Sequence, residues 1–269
     1  MVINTNLQAQ INADNLQTTQ ARLAKSLGRL SSGSKLTSAS DDAGGLAVST
    51  RLDAQVKRTQ AANSNVSSAI SFTQTQDGYL ANVSKALNRM SELSMLAQDA
   101  TKTDTDRASY NLEFQQLSTY ITTSGTKDFN GVSLFSVNKL DVTIDSEGTP
   151  FTMNGVNIGV PNTNYTNATG SSISSTTFAV AALGFIKTAL TTLSTDRATI
   201  GSYQARLNYG ADQLTVSGQN LAAAASQIED VDVANESTEF AKQNLLSQTG
   251  TAMLAQANQL PQSVLKLLQ

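Results

Sequence analysis

Few groups in this chain could carry chemistry. Asp41 and Asp42 are adjacent carboxylates, residue types that acid–base catalysis uses when two of them face one substrate. At the opening of a helix, such neighbours far more often cap the backbone and oppose the dipole, and they are read that way here. Glu229, Asp230 and Asp232 form a second acidic group. It lacks the glycine and the alternating oxygen ligands of a calcium loop and reads as a solvated helix start. Asn164-Tyr165-Thr166 and Asn167-Ala168-Thr169 fit the N-glycosylation pattern, but in so Asn- and Thr-rich a stretch chance accounts for them. The chain has neither Cys nor His. It cannot build the usual zinc or iron–sulfur site, and it lacks every Ser–His or Cys–His pair and the HExxH metal motif. No cofactor, metal or catalytic residue is expected.

The elements that would position any site are helical. The two ends carry apolar ladders of seven-residue period, and the middle does not. Val2, Ala9, Leu16, Leu23 and Leu30 fall one heptad apart, with Ala13 and Leu27 offset; Leu246, Met253, Leu260 and Leu267 do the same, with Ala257 and Val264 offset. A heptad seam lets a helix bury one narrow face against another helix. Two ordinary amphipathic helices inside one domain would show the same spacing, as would a part built for assembly.

Charged residues make up 14% of the 269 residues, against about 25% in an average globular domain. Neutral polar surface can be covered by protein at far lower desolvation cost than charge. The net charge is −3 and there is no long basic run, so nucleic-acid binding is not expected. No apolar run approaches the length of a membrane span, so no membrane partner is expected. Met1 to Asn6 show neither a basic region nor an apolar core of a secretory signal; composition alone would place the protein in the cytoplasm.

Along the chain, a helix is predicted from Gln8 to Leu30, with Ser32-Gly33 as its C-cap. Ser38 to Asp41 has capping-box spacing. A very long helix follows, with a break around Asp99 to Asp106 and a second helix from about Asp104 to Thr123. From Phe129 to Val160 the texture turns to strand: Leu140 to Asp145 alternates, Ser146-Glu147-Gly148 turns back, and Phe151 to Met153 returns. One or two small hairpins are predicted. Residues 162–177 read as an exposed loop. Helix resumes near Phe178 to about Ser226, and a last helix runs from about Val233 through Pro261, which is expected to kink it or start a fresh turn. The fold class is mainly α: long antiparallel helices forming a coiled-coil-like rod, with a small β-hairpin insert and the two terminal ladders as neighbours.

Leu30-Ser31-Ser32-Gly33, followed by SASDDAG from Ser38 to Gly44, resembles the N-terminal signature of bacterial flagellin. Ile228-Glu229-Asp230, LAQANQLPQS from Leu254 to Ser263, and Val264-Leu265 resemble its C-terminal signature. The match covers about 1–135 and 178–269; the short stretch from Val137 to Thr177 lies where flagellins insert large variable domains. The resemblance implies a non-enzymatic subunit of the extracellular flagellar filament, serving swimming and exported unfolded by the flagellar type III apparatus without a cleaved signal. It implies 1–42 and 231–269 as terminal segments of an inner core domain, 43–136 and 178–230 as the two parts of a rod domain, and 137–177 as the variable region. Partners implied are other copies of the chain, the flagellar cap and hook–filament junction proteins, and a secretion chaperone on the apolar face of about 230–269. Inner-core helix packing is assigned to Leu16, Leu23, Leu27, Leu30, Leu246, Met253, Leu260, Val264 and Leu267. Two other readings stand beside the filament subunit: a hook–filament junction protein, which shares the end architecture, and an enzyme carried on a flagellin scaffold.

One mid-chain face completes the expectations. Leu80, Val83, Leu87, Met90 and Ala97 share a side at helical spacing and should face the core. Arg89, Leu93 and Leu96, with Glu92 beside them, are predicted on the opposite side, where exposed leucines suggest a covered surface. The segment Leu87 to Ala97 resembles the flagellin stretch recognised by the vertebrate Toll-like flagellin receptor and packed between subunits in the filament, with Glu113 in YNLEFQQL as the acidic partner on the next helix. Ser91 stands where the family pattern has a second arginine, and Met95 where it has a smaller aliphatic.

Overall fold

The computed structural model describes residues 6–159 and 163–267, with side chains described up to residue 159 and from 164 to 259. Helix α1 spans Leu7–Ser32, α2 Ala43–Gln98 and α3 Asp104–Ser124. Two hairpins follow, β1 (Asp128–Phe129) with β2 (Val132–Ser133), and β3 (Leu140–Thr143) with β4 (Pro150–Met153). Then come α4 (Thr163–Thr169), α5 (Thr176–Glu229) and α6 (Val233–Leu267). The mainly helical class and the paired hairpins are as predicted. Helix α6 runs on through Pro261.

Local chemistry explains the boundaries. Gly33 ends α1 in the left-handed conformation at φ 72°, its N–H returning to the Arg29 carbonyl. The helix after it is capped by Asp42, whose Oδ1 accepts from the Gly45 N–H at 2.8 Å, rather than by a box built on Ser38. Asp41 instead accepts from the Thr37 hydroxyl and pairs with Lys25. Thr103 and Asp106 form the capping box that opens α3. Arg107 closes the α2–α3 turn, donating to the Ala97 and Asp99 carbonyls and to Asp104. Asn130 and Gly131, at φ 52° and 79°, make the two-residue link of the first hairpin.

The chain divides into two compact units, Met1–Gln55 with Asn220–Gln269, and Val56–Gln219. In the 56–219 unit, α2 runs antiparallel to α3, with Arg107 beside Ala97 and Arg89 beside Glu113, and to α5, with Asn63 bonded to Thr215 and Gln98 to Ala179. A heptad repeat runs through their buried positions. On α2 the heptad runs through Thr59, Ala62, Val66, Ala69, Thr73, Gln76, Leu80, Val83, Leu87, Met90, Ser94 and Ala97, with Phe72, Ala86 and Leu93 buried beside it; on α5 it includes Ala179, Ala182, Ile186, Ala189, Leu193, Ile200, Leu207 and Leu214. The middle of the chain therefore holds the longest heptad seams in the described residues, contrary to the expectation that only the ends carry them. Thr73, Gln76 and Ser94 interrupt the apolar ladder and hide the repeat from an apolar count. Each is satisfied: Thr73 by Ile70, Ser94 by Met90, and the Gln76 amide by the Leu134 carbonyl at 2.7 Å.

The second hairpin covers the lower part of this seam. Val142, Phe151 and Met153 pack with Ala62, Val66, Ala69, Leu207 and Leu214. Arg206 stacks on the Phe151 ring at 4.2 Å, and Tyr203 meets the same ring edge-on. Residues 164–177 are not an exposed loop. Tyr165 and Ala168 of α4, and Ile173 after it, are fully buried, and Asn111 of α3 accepts from the Ile173 N–H and the Ser172 hydroxyl. The polar composition concealed an apolar face carried by those three residues. Helix α5 also contains an 18-residue window of mean hydropathy 1.4, long and apolar enough by composition to cross a membrane. The same helix supplies the core's Ile186, Ala189 and Leu193.

Candidate functional site

Two surfaces bear on function, one in each unit. In the unit of the chain ends, α1 and α6 run antiparallel. The Asn6 amide donates to the Ala257 carbonyl at 2.8 Å near one end, and Ser26 donates to the Glu236 carboxylate near the other. The half-buried or buried positions on α1 include Ala9, Asn12, Leu16, Thr19, Leu23, Ser26 and Leu30, in alternating steps of three and four, with Gly28 and Arg29 also half-buried near its end. On α6 they include Glu236, Phe240, Gln243, Ser247, Gly250, Leu254 and Ala257, in the same alternation, with Glu239 half-buried beside Phe240. Leu16 lies over Gly250, so close that a Cβ there would stand 3.2 Å from a Leu16 methyl. A short antiparallel bridge between Ser34 and Asp230, with Lys35 N–H bonded to the Glu229 carbonyl and Val231 N–H to Gly33, staples the far end.

The terminal helices are neighbours, as expected, but the ladders do not meet as predicted. Leu16, Leu23 and Leu30 are on the seam. Leu27 is 54% exposed, because Thr19 and Ser26 hold the offset positions instead. Leu246 and Met253 are 46% and 55% exposed, each one residue before the seam positions Ser247 and Leu254. Leu260, Val264 and Leu267 lie outside the residues whose side chains are described, as does Val2. Leu7 and Ile11 on α1, and Val233 and Leu245 on α6, are also exposed. The seam itself is thin in apolar area and rich in polar groups. Gln243 is buried and bonds only Glu239 of its own helix among the described residues. The buried Arg29 Nε has no partner there, although its guanidinium stands 3.6 Å from Glu236. Leaving such a donor unpaired costs about 1–3 kcal/mol.

In the 56–219 unit, Arg89, Glu92 and Glu113 come together on the surface. Arg89 grips Glu113 of α3 in a two-pronged fork, Nε to Oε1 at 2.7 Å and Nη2 to Oε2 at 3.1 Å, and reaches Glu92 Oε2 at 3.0 Å. The guanidinium holds the Glu113 carboxyl below its ordinary pKa, and the two carboxylates push the arginine's up. Leu96 is exposed, as is Met95. Leu93 is not part of this face. It is completely buried, in one cluster with Met90, Phe114 and Ile121. At 100° per residue it sits about 60° from Met90, and α3 running alongside widens the covered arc beyond the α5 seam to include it. Sequence reasoning also missed Tyr165, whose buried hydroxyl donates to Asp196 Oδ2 at 2.8 Å. Burial raises the pKa of both groups. Asp232 caps α6 by accepting from the Ala234 and Asn235 N–H groups.

A thin, polar seam between the chain-end helices and a separate unit with a larger apolar core are the features of a structural rather than a catalytic protein. The chain matches the family model of the bacterial flagellin N-terminal helical region over residues 3–139, and that of the C-terminal helical region over 183–268. It is 35% identical to a flagellar filament core protein, flaB2, of Brachyspira hyodysenteriae and 36% identical to a flagellin of Halalkalibacterium halodurans, each covering all of both chains. The crystal structure of Bacillus cereus flagellin matches at a TM-score of 0.51 and 26% identity, over 60% of this chain and 94% of that one. The chain belongs to the bacterial flagellin family. It is a structural, non-enzymatic subunit of the extracellular flagellar filament, self-assembling with other flagellin subunits.

Proposed function

We propose that polymerisation is driven through the chain ends, with 1–42 and 231–269 as the segments that other copies complete. The observation that carries this is the mismatch on α1 and α6. Their mutual seam buries Ser26 and Gln243 and half-buries Gly250, while Leu27, Leu246 and Met253 face outward. Exposed leucines beside a seam that buries polar groups invert the usual economy of a helix pair, and a second copy laid on those leucines would restore it at about 25 cal/mol per Å² of apolar area covered. In this reading 43–136 and 178–230 form the two parts of a rod domain and 137–177 is what remains of the variable region. Whole-length similarity to filament proteins favours a filament subunit over a hook–filament junction role.

The same outward face suits the further partners. A secretion chaperone would cover the apolar side of about 230–269 before export, and the cap and junction proteins would meet the same ends during growth. The Arg89–Glu92–Glu113 cluster with Leu96 is the surface offered to neighbouring subunits and to a Toll-like flagellin receptor; Leu93 supports it from inside. The test is seeded growth followed by electron microscopy. Long filaments support the reading, and short rings or monomers support a junction role. Titration of the chaperone against a Leu246→Asp, Leu260→Asp variant separates the shared face from a different one: unchanged affinity rejects sharing.

A further inference from the structure

The chain contains Asn-Gly twice, at Asn130-Gly131 and Asn154-Gly155, and the two sit in opposite surroundings. Asn-Gly is the pair most open to intramolecular amide chemistry, because a glycine N–H carries no side chain to obstruct its approach to the preceding amide. Asn130 and Gly131 form the exposed tip of the β1–β2 hairpin. Among the described residues the Asn130 side chain makes no hydrogen bond, and nothing stands within 4 Å of where a Gly131 Cβ would be. The hairpin holds by two residue pairs, Asp128 with Ser133 and Phe129 with Val132. So short a ladder opens locally at little cost, and opening frees Asn130 from its left-handed turn conformation.

Gly155 has no such freedom. A Cβ there would collide with the Ser136 carbonyl oxygen and lie 2.6 Å from that of Asn138, so its backbone is pressed against the 136–138 segment. Asn154 is fixed as well, its N–H donating to the Tyr203 hydroxyl at 3.1 Å.

We propose that Asn130 is a site of spontaneous deamidation and isoaspartate formation in this protein, and that Asn154 is protected by its packing. The Gly131 nitrogen attacks the Asn130 side-chain carbonyl carbon. A new C–N bond forms, the bond from that carbon to the amide nitrogen breaks, and ammonia leaves with the proton lost from Gly131, giving a five-membered succinimide. Water then opens either carbonyl of the ring. Opening at the former side-chain carbonyl gives aspartate; opening at the backbone carbonyl gives isoaspartate, with one extra methylene in the main chain. Both products place a negative charge at the hairpin tip, and the second breaks the two-residue turn that a tight hairpin requires. Phe129, which meets Phe72 edge-on at 6.0 Å, is held at the base of that turn. The site thus changes the charge of an extracellular subunit with age.

The experiment is peptide mapping by mass spectrometry of the full-length protein, incubated as assembled filaments in mildly alkaline buffer, against the same protein in guanidinium. The native Asn130 peptide should gain the mass of NH2 replaced by OH, in two chromatographically distinct products. Its rate should exceed that of native Asn154 by about tenfold or more, about 1.4 kcal/mol in barrier, while in guanidinium the two rates converge. Equal native rates, faster conversion at Asn154, or an intact Asn130 while the unfolded chain converts would each overturn the proposal. Asn130→Gln should abolish conversion at 130 and leave the Asn154 rate unchanged; total ammonia release equal to that of the parent protein would count against it.

Discussion

Where Leu80, Val83, Leu87 and Met90 fill the seam of the 56–219 unit, the unit of the chain ends puts Asn12, Thr19, Ser26, Gln243 and Ser247. Both units use the same heptad repeat with opposite contents. The first fills its seam with apolar side chains and turns charges outward, as in the Arg89–Glu113 fork and the Asp77–Arg197 fork, though Leu112, Phe178 and Tyr209 stay exposed on its outer faces. The second spends its seam on small and polar residues and leaves Leu27, Leu246 and Met253 uncovered. A repeat of seven specifies that two helices can meet. The residue types at the repeat decide whether the meeting suffices alone, since stability follows apolar area removed from water and polar positions contribute little net.

The comparison breaks most visibly by truncation. Removing residues 1–30 or 246–269 should abolish polymerisation while the 56–219 unit keeps its cooperative melt, read by sedimentation and circular dichroism. Normal filaments from either truncation would mean that the ends are dispensable. Next in size is a paired substitution. Leu87→Ala empties a fully buried position and should cost about 2–5 kcal/mol in urea unfolding. Leu23→Ala on the half-exposed seam should cost well under half of that, and equal losses would erase the distinction between the units.

A third variant sharpens it from the surface. Leu246→Asp with Met253→Asp should change monomer stability by about 0.5 kcal/mol or less, as exposed substitutions do. It should raise the critical concentration for polymerisation at least about tenfold, equivalent to about 1.4 kcal/mol. A variant that lowers the monomer's midpoint instead would place these residues in an intrachain core. The smallest expected effect is a pH dependence. Burial beside Tyr165 raises the Asp196 pKa, so the folded chain holds this proton to higher pH than the unfolded chain does. The resulting stability is present below the ordinary carboxylate range and is lost as pH rises through the raised value. Asp196→Asn, which keeps an acceptor for the Tyr165 hydroxyl, should remove that decline from a plot of thermal midpoint against pH. A decline that persists unchanged assigns it to another group.

Most element boundaries were legible because breakers and caps are local. Gly33, the polar run from Asp99 to Asp106, and the alternation from Leu140 each act within a few residues. The long seams in α2 and α5 were not, because Thr73, Gln76 and Ser94 are buried with their hydrogen bonds met by Ile70, Leu134 and Met90. A polar residue satisfied by tertiary structure looks solvated in the sequence. Leu93 was misplaced for a related reason: one helix face can be assigned from spacing, but the width of the buried arc depends on how many neighbours lie against it. Arg89, Glu92 and Glu113 bond one another on the surface; two of them are one helical turn apart, which spacing alone can place together. The third was located through family resemblance, not periodicity.

The Asn6 amide finds its acceptor at Ala257, 251 residues away in sequence. The contact cannot form until both ends of the chain are present, and a chain cut short of Ala257 loses it while Ser26 and Arg29 still meet Glu236. The terminal seam therefore holds the contact of greatest sequence separation among these hydrogen bonds, and its closure requires both ends of the chain at once.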